Sequence, residues 1–425
     1  MCKNTVVWLV SVLCLGGAGL RAQDPPQADS LRREVQRLAA RIDSLERLVR
    51  QLSGQQRDTA PAQDELAVLR AAAAAAGAGA RADTAAGQAP PEQAQFVDRS
   101  RNLNQLNPEI SVTGDVRLNA TEEQFVGDNV DVREFEFSFQ SALDPYSNTK
   151  IFAGVGEEGI ELEEAYAYWT GLPGNLRLDV GRFRQQVGEL NRWHAHALPQ
   201  SEFPLVLSRF FGDEGLVGDG VGLYWMLPVG GGALGAHELW GQATLANNEV
   251  LFQEGNRVAV LGHLNNFWQL SRSTFVQVGG TALFGDNPDS ALKTRVFGVN
   301  ARISWRPPER ALYRNFTVRG EGYRLTQEVA GTATTRYGAF ASAEYQLSRR
   351  LFAGARYDYV ESLTVDDEHE WAVVPNLTWW QSEWVYLRAE WQRTATPVAA
   401  GTFERANRFV LQAVWAIGPH KHEIF

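Results

Sequence analysis

Segments in which apolar and polar residues alternate recur sixteen times between Glu109 and Gly418, and no other feature of the chain constrains its fold as strongly. In the first segment, Val112 and Val116 fall on one face of an extended strand, while Asp115 falls on the other. Successive side chains of a strand point to opposite faces, so such a strand needs lipid on one side and water on the other. A soluble β-sandwich also alternates, but it has little reason to place arginine and glutamate along one face of every strand. The pattern therefore predicts an all-β, antiparallel transmembrane barrel of about 16 strands.

The composition and the missing sequence motifs argue against several other classes of protein. The net charge of -10 offers no basic surface for nucleic acid, so no nucleic-acid partner is predicted. Beyond the N-terminal region, no stretch approaches the roughly 18–20 apolar residues that a membrane-spanning helix needs. The G-x-S-x-G, H-E-x-x-H and P-loop patterns are missing from the sequence. We therefore expect neither an enzyme nor a protein that carries a cofactor.

Residues 1–22 have the composition of a secretory signal peptide. Lys3 precedes an apolar run from Val6 to Leu20, and a small residue follows at the expected cleavage position. The two cysteines, Cys2 and Cys14, both lie in this segment. The exported chain is thus expected to carry no thiol, no disulfide and no lipid anchor.

A heptad repeat covers residues 29–53 and predicts an α-helical coiled coil. Its β-branched residues at a and its leucines at d favour two helices. The stretch from Arg41 to Glu46 instead resembles the R-h-x-x-h-E motif of short trimeric coiled coils, so we expect three helices, with a dimer as the alternative. The heptad positions are Leu31, Val35, Leu38, Ile42, Leu45, Val49 and Leu52, and the expected trimerisation residues are Arg41, Ile42, Leu45 and Glu46.

A low-complexity linker at residues 54–107 separates the coiled coil from the barrel, which we place at residues 108–425. The linker contains an alanine run from Ala71 to Ala76, followed by many Gly, Pro and Gln residues. It contains no recognisable peptidoglycan-binding module. A coiled coil on such a linker can still hold a fixed distance to the cell wall, so peptidoglycan is a candidate partner.

Short and long connections alternate along the barrel and predict its orientation. With both termini in the periplasm, the short connections are periplasmic turns, rich in the residues that turns require, and the long ones face outward. The short connections are expected at 144–148, 171–175, 228–232, 269–273, 307–314, 348–350 and 381–383. The outward loops are expected at 121–131, 183–219, 246–256, 285–293, 326–335, 361–370 and 394–407, with a short second loop around 157–159 as the exception.

The third outward loop, from Phe183 to Asp219, is the longest and has 37 residues. It mixes charged residues with apolar ones that are unusual on a solvated tip, and a loop of this length usually has a function. In trimeric porins the third loop, also after the fifth strand, folds inward and narrows the pore, and we expect the same here. The alternative is an extracellular lid that packs on itself. The residues expected at the constriction are Glu189, Arg192, His194, His196, Glu202, Arg209, Asp213 and Glu214, and those expected to line the lumen are Arg117, Arg302, Arg319, Glu321, Arg356, Asp358, Arg388 and Glu390.

Opposite charges are expected to face one another across this constriction, because the loop is rich in carboxylates and the lumen in guanidinium groups. The loop carboxylates are Glu189, Glu202, Asp213 and Glu214, and the facing arginines are Arg319, Arg356 and Arg388.

His194 and His196 are two residues apart in the third loop, which places both on one side of an extended segment. The sequence fixes no third ligand, so no metal site is predicted. A second histidine pair near the C-terminus receives the same interpretation. Acidic clusters at 157–164 and 366–370 are candidates for divalent ions shared with lipopolysaccharide, although such runs are more often solvated.

The segment VGRFRQQVGELN, residues 180–191, resembles the segment that leads into the third loop of the phosphate-selective porin O and P family. The chain also ends in Phe425, as many substrates of the barrel assembly machinery do. The resemblance extends loosely over the barrel and implies an outer-membrane porin. Pro419 interrupts the last segment, so the residues after it need not form the usual closing strand. Arginines and carboxylates are mixed along the expected lumen, which gives no ground for phosphate selectivity.

The predicted function is that of a homotrimeric outer-membrane porin, a water-filled barrel through which small hydrophilic solutes or ions diffuse passively. The coiled coil would extend into the periplasm as a stalk. The other partners would be outer-membrane lipid, lipopolysaccharide and the barrel assembly machinery. The alternative is a structural anchor, in which a plugged barrel holds the membrane while the stalk tethers it to the cell wall.

Overall fold

The computed structural model describes residues 108–121, 130–156, 159–231, 234–253, 257–286, 293–329 and 332–418. The predicted signal peptide, coiled coil and linker lie outside these ranges, as do residues 419–425. Within them, no helix is both long enough and apolar enough to cross a membrane.

In the described part of the chain, sixteen antiparallel strands form one closed barrel. The strands are β1 (Glu109–Thr121), β2 (Val130–Ala142), β3 (Ser147–Gly156), β4 (Gly159–Leu172), β5 (Leu176–Arg184), β6 (Val217–Met226), β7 (Ala236–Leu245), β8 (Val258–Gln269), β9 (Thr274–Asp286), β10 (Lys293–Trp305), β11 (Phe316–Val329), β12 (Thr332–Gln346), β13 (Leu351–Glu361), β14 (His369–Trp380), β15 (Val385–Ala399) and β16 (Thr402–Ile417). Each strand pairs with its neighbours in sequence, and β1 closes the ring on β16, with Val112 opposite Ile417. Closure leaves no strand edge with unpaired backbone groups, which strands need in order to cross lipid. The predicted barrel and its strand number are confirmed.

The two faces of the strands differ in polarity as the alternation predicts. In β15, Leu387 is 46% exposed on the outer face, while Arg388 and Glu390 are only 5% and 3% exposed on the inner face. The barrel thus has an apolar exterior and many charged groups in its interior, which is the arrangement of a barrel in lipid. Other exposed outward side chains are Ile110, Leu118, Val221, Leu239, Val278, Phe297, Val299, Ile303, Leu377 and Leu411.

Two outward loops are much shorter than predicted. β15 continues to Ala399 and β16 begins at Thr402, so the predicted loop at 394–407 is a tight turn around Gly401, whose φ is 70°. In the same way, β11 and β12 extend into the predicted loop at 326–335. The prediction of these loops was wrong because barrel strands can continue beyond the lipid, where threonine and charged residues are tolerated on both faces.

The connection between β5 and β6, residues 185–216, is called L3 below. It contains two single-turn 3-10 helices, at Leu190–Arg192 and Ala195–Ala197, and the helix α1 at Leu205–Phe211. Gly212, whose φ is 90°, follows α1 and ends it, since glycine tolerates such a backbone at low cost.

An apolar core fills part of the barrel interior. Apolar side chains of L3 and of the short helix α2 (Glu249–Phe252), in the next outward loop, pack against inward-facing side chains of β8 to β13. Val206, Leu207 and Phe210 of α1 are completely buried there. L3 is therefore folded into the barrel. The L3 members of the core are Val187, Leu190, Leu198, Phe203, Val206, Leu207, Phe210, Phe211 and Leu216, and the strand members are Ala259, Leu261, Leu283, Val296, Tyr323, Leu325, Phe340 and Val360.

Candidate functional site in the lumen

L3 crosses the lumen and is bonded to strands that lie nearly half a turn apart in the ring. On one side, the Glu321 carboxylate of β11 accepts hydrogen bonds from the backbone N–H groups of Glu189 and Leu190, at 2.8 and 2.9 Å. On the other side, His194 Nε2 lies 2.8 Å from Glu164 Oε1 of β4. The loop is thus held at both walls of the barrel.

Inward-pointing arginines hold the backbone carbonyl groups of L3. Arg388 Nη2 donates to the carbonyl of Leu198 at 2.8 Å, and Arg356 Nη1 donates to the carbonyl of Glu202 at 2.7 Å. Arg356 is itself oriented by Asp358, with Nε 2.9 Å from Oδ1. Carbonyl groups of a loop inside a barrel have no ladder partner, so these arginines supply the donors that buried backbone requires.

Residues of β15 bind the same part of L3 from beside Arg388. The Glu390 carboxylate accepts hydrogen bonds from the backbone N–H of Ser201 at 3.0 Å and from its hydroxyl at 2.6 Å. The Tyr386 hydroxyl donates to the carbonyl of His196 at 2.5 Å. The second half of L3 is therefore fixed mainly through its backbone and short polar side chains.

Ion pairs between L3 and the wall involve three of the predicted loop carboxylates, Glu189, Glu202 and Glu214, the last with its Oε2 3.7 Å from Arg184 Nη2 at the end of β5. Arg302 Nη1 lies 2.7 Å from Glu189 Oε1. Glu202 Oε1 is contacted by Arg117 at 3.1 Å and by Arg408 at 2.5 Å. Glu189 and Glu202 thus pair with guanidinium groups on different sides of the barrel.

His194 lies at the centre of a buried group of carboxylates. Its Nδ1 is 2.6 Å from Glu136 Oε2 and 2.9 Å from Glu163 Oε2, while Nε2 faces Glu164 as described above. Burial alone would lower the pKa of His194, but the carboxylates of Glu136 and Glu163 raise it well above its usual value. The carboxylates on both sides of the ring thus favour the positively charged form of the imidazole. His196 lies nearby, with Nδ1 3.8 Å from the same Glu136 oxygen.

A β-bulge places two consecutive carboxylates of this group in the lumen. The register of β3 and β4 shifts between Phe152 and Ala153, and Glu163 falls at the shift. Glu163 and Glu164 are consequently both buried, although neighbours on a regular strand point to opposite faces. Sequence reasoning assigns them to a solvated acidic run, because alternation alone does not reveal a bulge.

Two other predicted constriction residues contact the barrel wall. Arg192 lies over the Trp240 ring, 5.5 Å from its centroid. Arg209 forms a two-pronged ion pair with Glu370 of β14, with nitrogen–oxygen distances of 2.8 and 2.9 Å. Both arginines thus connect L3 to strands rather than standing free in the lumen.

The partners of the lumen arginines differ from those expected. Arg319 lies over the Trp193 ring, 5.1 Å from its centroid, and Arg356 and Arg388 bind backbone carbonyl groups instead of loop carboxylates. The expected pairing considered side-chain charges only, whereas a loop inside the barrel must first satisfy its backbone. Glu163 and Glu164 belong to the acidic cluster at 157–164, which the sequence offered only as a candidate site for divalent ions shared with lipopolysaccharide. The contact residues that the sequence did not single out as a site are Arg184, Trp193, Ser201, Tyr386 and Arg408.

Two cavities lie on either side of L3. One has a volume of about 630 Å³ and is bounded by the loop ends of β2, β3 and β4. The other has a volume of about 410 Å³ and lies near the short turns. Ala195 lines the first and His196 the second, so the segment that contains them separates the two. The charged residues of the first cavity are Asp131, Arg133, Glu134, Glu161, Glu163, Asp213 and Glu214, and the second contains Trp193, Arg319, Glu344, Trp380, Glu383, Trp384, Tyr386 and Arg388.

No protein-family model matches the chain. A protein of Aquifex aeolicus (strain VF5), described only as uncharacterized, is 27% identical over 254 residues, which is 53% of this chain and 53% of that protein. The chain thus spans about half the length of the curated relative that it matches.

Several solved structures share the fold. An anion-selective porin from Comamonas acidovorans aligns over 73% of this chain and 100% of its own, with a TM-score of 0.51 and 9% identity. Salmonella typhi OmpF, in complex with daunomycin, aligns over 74% of this chain and 99% of its own, with a TM-score of 0.51 and 9% identity. The trimer form of Vibrio cholerae OmpT, an outer membrane protein, aligns over 73% of this chain and 99% of its own, with a TM-score of 0.50 and 11% identity. These similarities establish a porin-like barrel fold, while the resemblance to the phosphate-selective family stays a prediction.

Proposed function

We propose that this protein is an outer-membrane porin through which small hydrophilic solutes or ions diffuse passively, and that L3 narrows its pore. The position of L3 carries the proposal, since the loop is bonded to both walls of a closed barrel and lies between two cavities. Charged side chains line both cavities, so a hydrated solute finds polar partners on each side of the loop. Porins among the structures of the same fold agree with this function.

The two cavities differ in charge, which bears on what passes. Carboxylates outnumber arginines in the cavity at the loop end, whereas the cavity near the short turns has two arginines and two glutamates. An acidic entrance raises the local concentration of cations and lowers that of anions. We therefore expect a mild preference for cations, contrary to what a phosphate-selective pore would show.

The proposal places the barrel in the outer membrane as a homotrimer with its stalk in the periplasm, in contact with lipid and lipopolysaccharide and assembled by the barrel assembly machinery. The apolar outer face of the strands and the trimer form of a protein with the same fold support it. If the stalk stabilises the trimer, Ile42→Asp should lower the temperature at which the trimer dissociates in a detergent gel. A trimer band with unchanged heat sensitivity would mean that the barrels hold the oligomer without the stalk.

The apolar core inside the barrel favours a second candidate function. L3 and α2 bury apolar side chains against β8 to β13, as a plug would. A plugged barrel could serve as a structural anchor whose stalk tethers the membrane to peptidoglycan.

Conductance in a planar bilayer separates the two candidates. The exported chain, purified in detergent without an added tag, should give stable single-channel current steps if it is a porin. An anchor should give none, although the same preparation shows the heat-dependent gel migration of a folded barrel. The reversal potential under a salt gradient then tests the ion preference, and a potential of the sign expected for anions would contradict the acidic-entrance argument.

A further inference from the structure

Three potential metal ligands from three separate elements converge in the lumen. Glu136 of β2, Glu163 of β4 and His194 of L3 each offer one ligand atom, and these atoms all lie within 4.8 Å of one another. The distances from His194 Nδ1 to the two carboxylate oxygens are 2.6 and 2.9 Å. Ligand atoms around one metal ion are separated by about 3 Å in octahedral and about 3.4 Å in tetrahedral geometry, since metal–ligand bonds are roughly 2.1 Å long. A small adjustment of the side chains would therefore admit an ion.

The other nitrogen of the imidazole is held as it is in many metal sites. His194 Nε2 lies 2.8 Å from Glu164 Oε1, and Glu164 Oε2 accepts a hydrogen bond from the backbone N–H of Arg184 at 3.1 Å. A carboxylate on the distal nitrogen fixes the ring orientation and makes the ligating nitrogen more basic. This contact leaves Nδ1 directed at Glu136 and Glu163.

The charges around the three ligands are also compatible with a divalent ion. Four carboxyl groups meet here, namely the three that face His194 and Glu134, which hydrogen-bonds to Glu163 and so shares a proton with it. Arg184 Nη2 lies 2.9 Å from Glu163 Oε2, and the positive charge of Arg192 attracts the Glu164 carboxylate. With one proton shared by Glu134 and Glu163, three negative charges face two guanidinium groups, and burying the remaining charge uncompensated is unfavourable. A proton on His194 can balance that charge. A divalent ion can replace this proton and the shared one together, which leaves the net charge unchanged.

We propose that Glu136, Glu163 and His194 bind a divalent transition-metal ion of the Zn²⁺ type. One imidazole nitrogen and two carboxylate oxygens are ligands that Zn²⁺ and Co²⁺ accept. Glu163 also lines the cavity at the loop end, so an ion can reach the site from there and solvent can complete its coordination. The ion would join L3 to β2 and β4 and so fix the segment that separates the two cavities. This inference does not depend on whether the barrel conducts.

Metal binding to the exported, untagged chain tests the proposal. Bound metal is first removed with a chelator, and the chelator is then removed. One sample is titrated with Co²⁺ while its visible absorption is recorded, and a second is titrated with Zn²⁺ in a calorimeter. We expect one ion per chain and a Co²⁺ spectrum with nitrogen and oxygen ligands. We also expect Zn²⁺ to raise the unfolding temperature of L3, because an ion that binds only the folded form stabilises it. A parent protein without stoichiometric binding would overturn the proposal.

Variants locate the site. Glu136→Gln and Glu163→Gln keep the side-chain volume, and with His194→Gln each should weaken binding by more than about tenfold. His263→Asn is the matched control, since His263 is a buried lumen histidine whose Nδ1 lies 2.7 Å from the Thr281 hydroxyl. His420→Ala with His422→Ala removes the histidine pair near the C-terminus. The proposal is overturned if Glu136→Gln and Glu163→Gln both bind Zn²⁺ with unchanged affinity while gel migration shows folded barrels. It is also overturned if only the His420/His422 variant loses Zn²⁺ binding.

Discussion

The two walls that hold L3 do so by different means. At the loop ends of β8 to β13, the inward side chains are apolar and pack against α1, so burial holds the loop. On β1, β2, β4 and β15, and away from the loop ends of β10, β11 and β13, the inward side chains are charged, and hydrogen bonds and ion pairs hold the loop. Burial of apolar surface is not directional, whereas charged contacts depend on geometry and protonation. The apolar wall should therefore determine whether L3 stays inside, and the charged wall should determine how it moves and what passes.

Phe210→Ala should have the largest effect, because it removes a completely buried side chain from the apolar wall. Large-to-small changes of a buried phenylalanine cost about 3–5 kcal/mol. We expect faster hydrogen exchange throughout L3 and new protease cleavage within it. Phe297→Ala is the control, since Phe297 is 46% exposed on the lipid face of β10. Unchanged protection of L3 in Phe210→Ala would mean that the apolar wall does not anchor the loop.

Arg388→Met should have a smaller effect on the charged wall. It removes the donors to the carbonyl of Leu198 and to Gln412, both at 2.8 Å, while keeping most of the side-chain volume. Leaving buried acceptors unsatisfied costs about 1–3 kcal/mol. We expect more current noise in the open channel and faster exchange near Leu198, with α1 still protected. The control is Arg295→Met, on the outward face, which should leave the current noise and the hydrogen exchange of L3 unchanged. Faster hydrogen exchange of α1 in Arg388→Met would contradict the division between the walls.

Glu202→Gln should have the smallest effect, because the Glu202 side chain is 43% exposed. Burial raises the pKa of Glu202, but the guanidinium of Arg408 opposes this and the resulting pKa lies below its usual value. A lowered pKa means that the ion pair is retained at neutral pH and lost only as the pH falls through that value. Current noise should rise on acidification in the parent protein and not in Glu202→Gln. If the current noise of the parent protein and of Glu202→Gln rose equally on acidification, Glu202 would not be the group that titrates.

The barrel could be predicted from the sequence because its physical cause is visible there. A strand between lipid and water must alternate, so Leu387, Arg388 and Glu390 already indicate its two faces. The ends of the strands are less visible, since beyond the lipid the alternation is no longer required. For this reason the polar stretch at 394–407 was predicted as a loop, although it is largely paired.

The contacts of L3 could be predicted only in part. Its unusual apolar residues, such as Phe210 and Phe211, indicated a loop that does not lie in solvent. The partners could not be predicted, because they depend on the bulge at Glu163 and on the demand of the buried backbone for donors such as Arg388. Neither cause leaves a pattern in the local sequence.

The single-channel conductance of a variant that lacks residues 189–207 tests the central claim most directly. This deletion removes most of the contacts of L3 with both walls and should leave the closed barrel folded, which heat-dependent gel migration checks. If L3 narrows the pore, the variant should conduct several times more current than the parent protein under the same salt and voltage. An unchanged conductance would contradict the account.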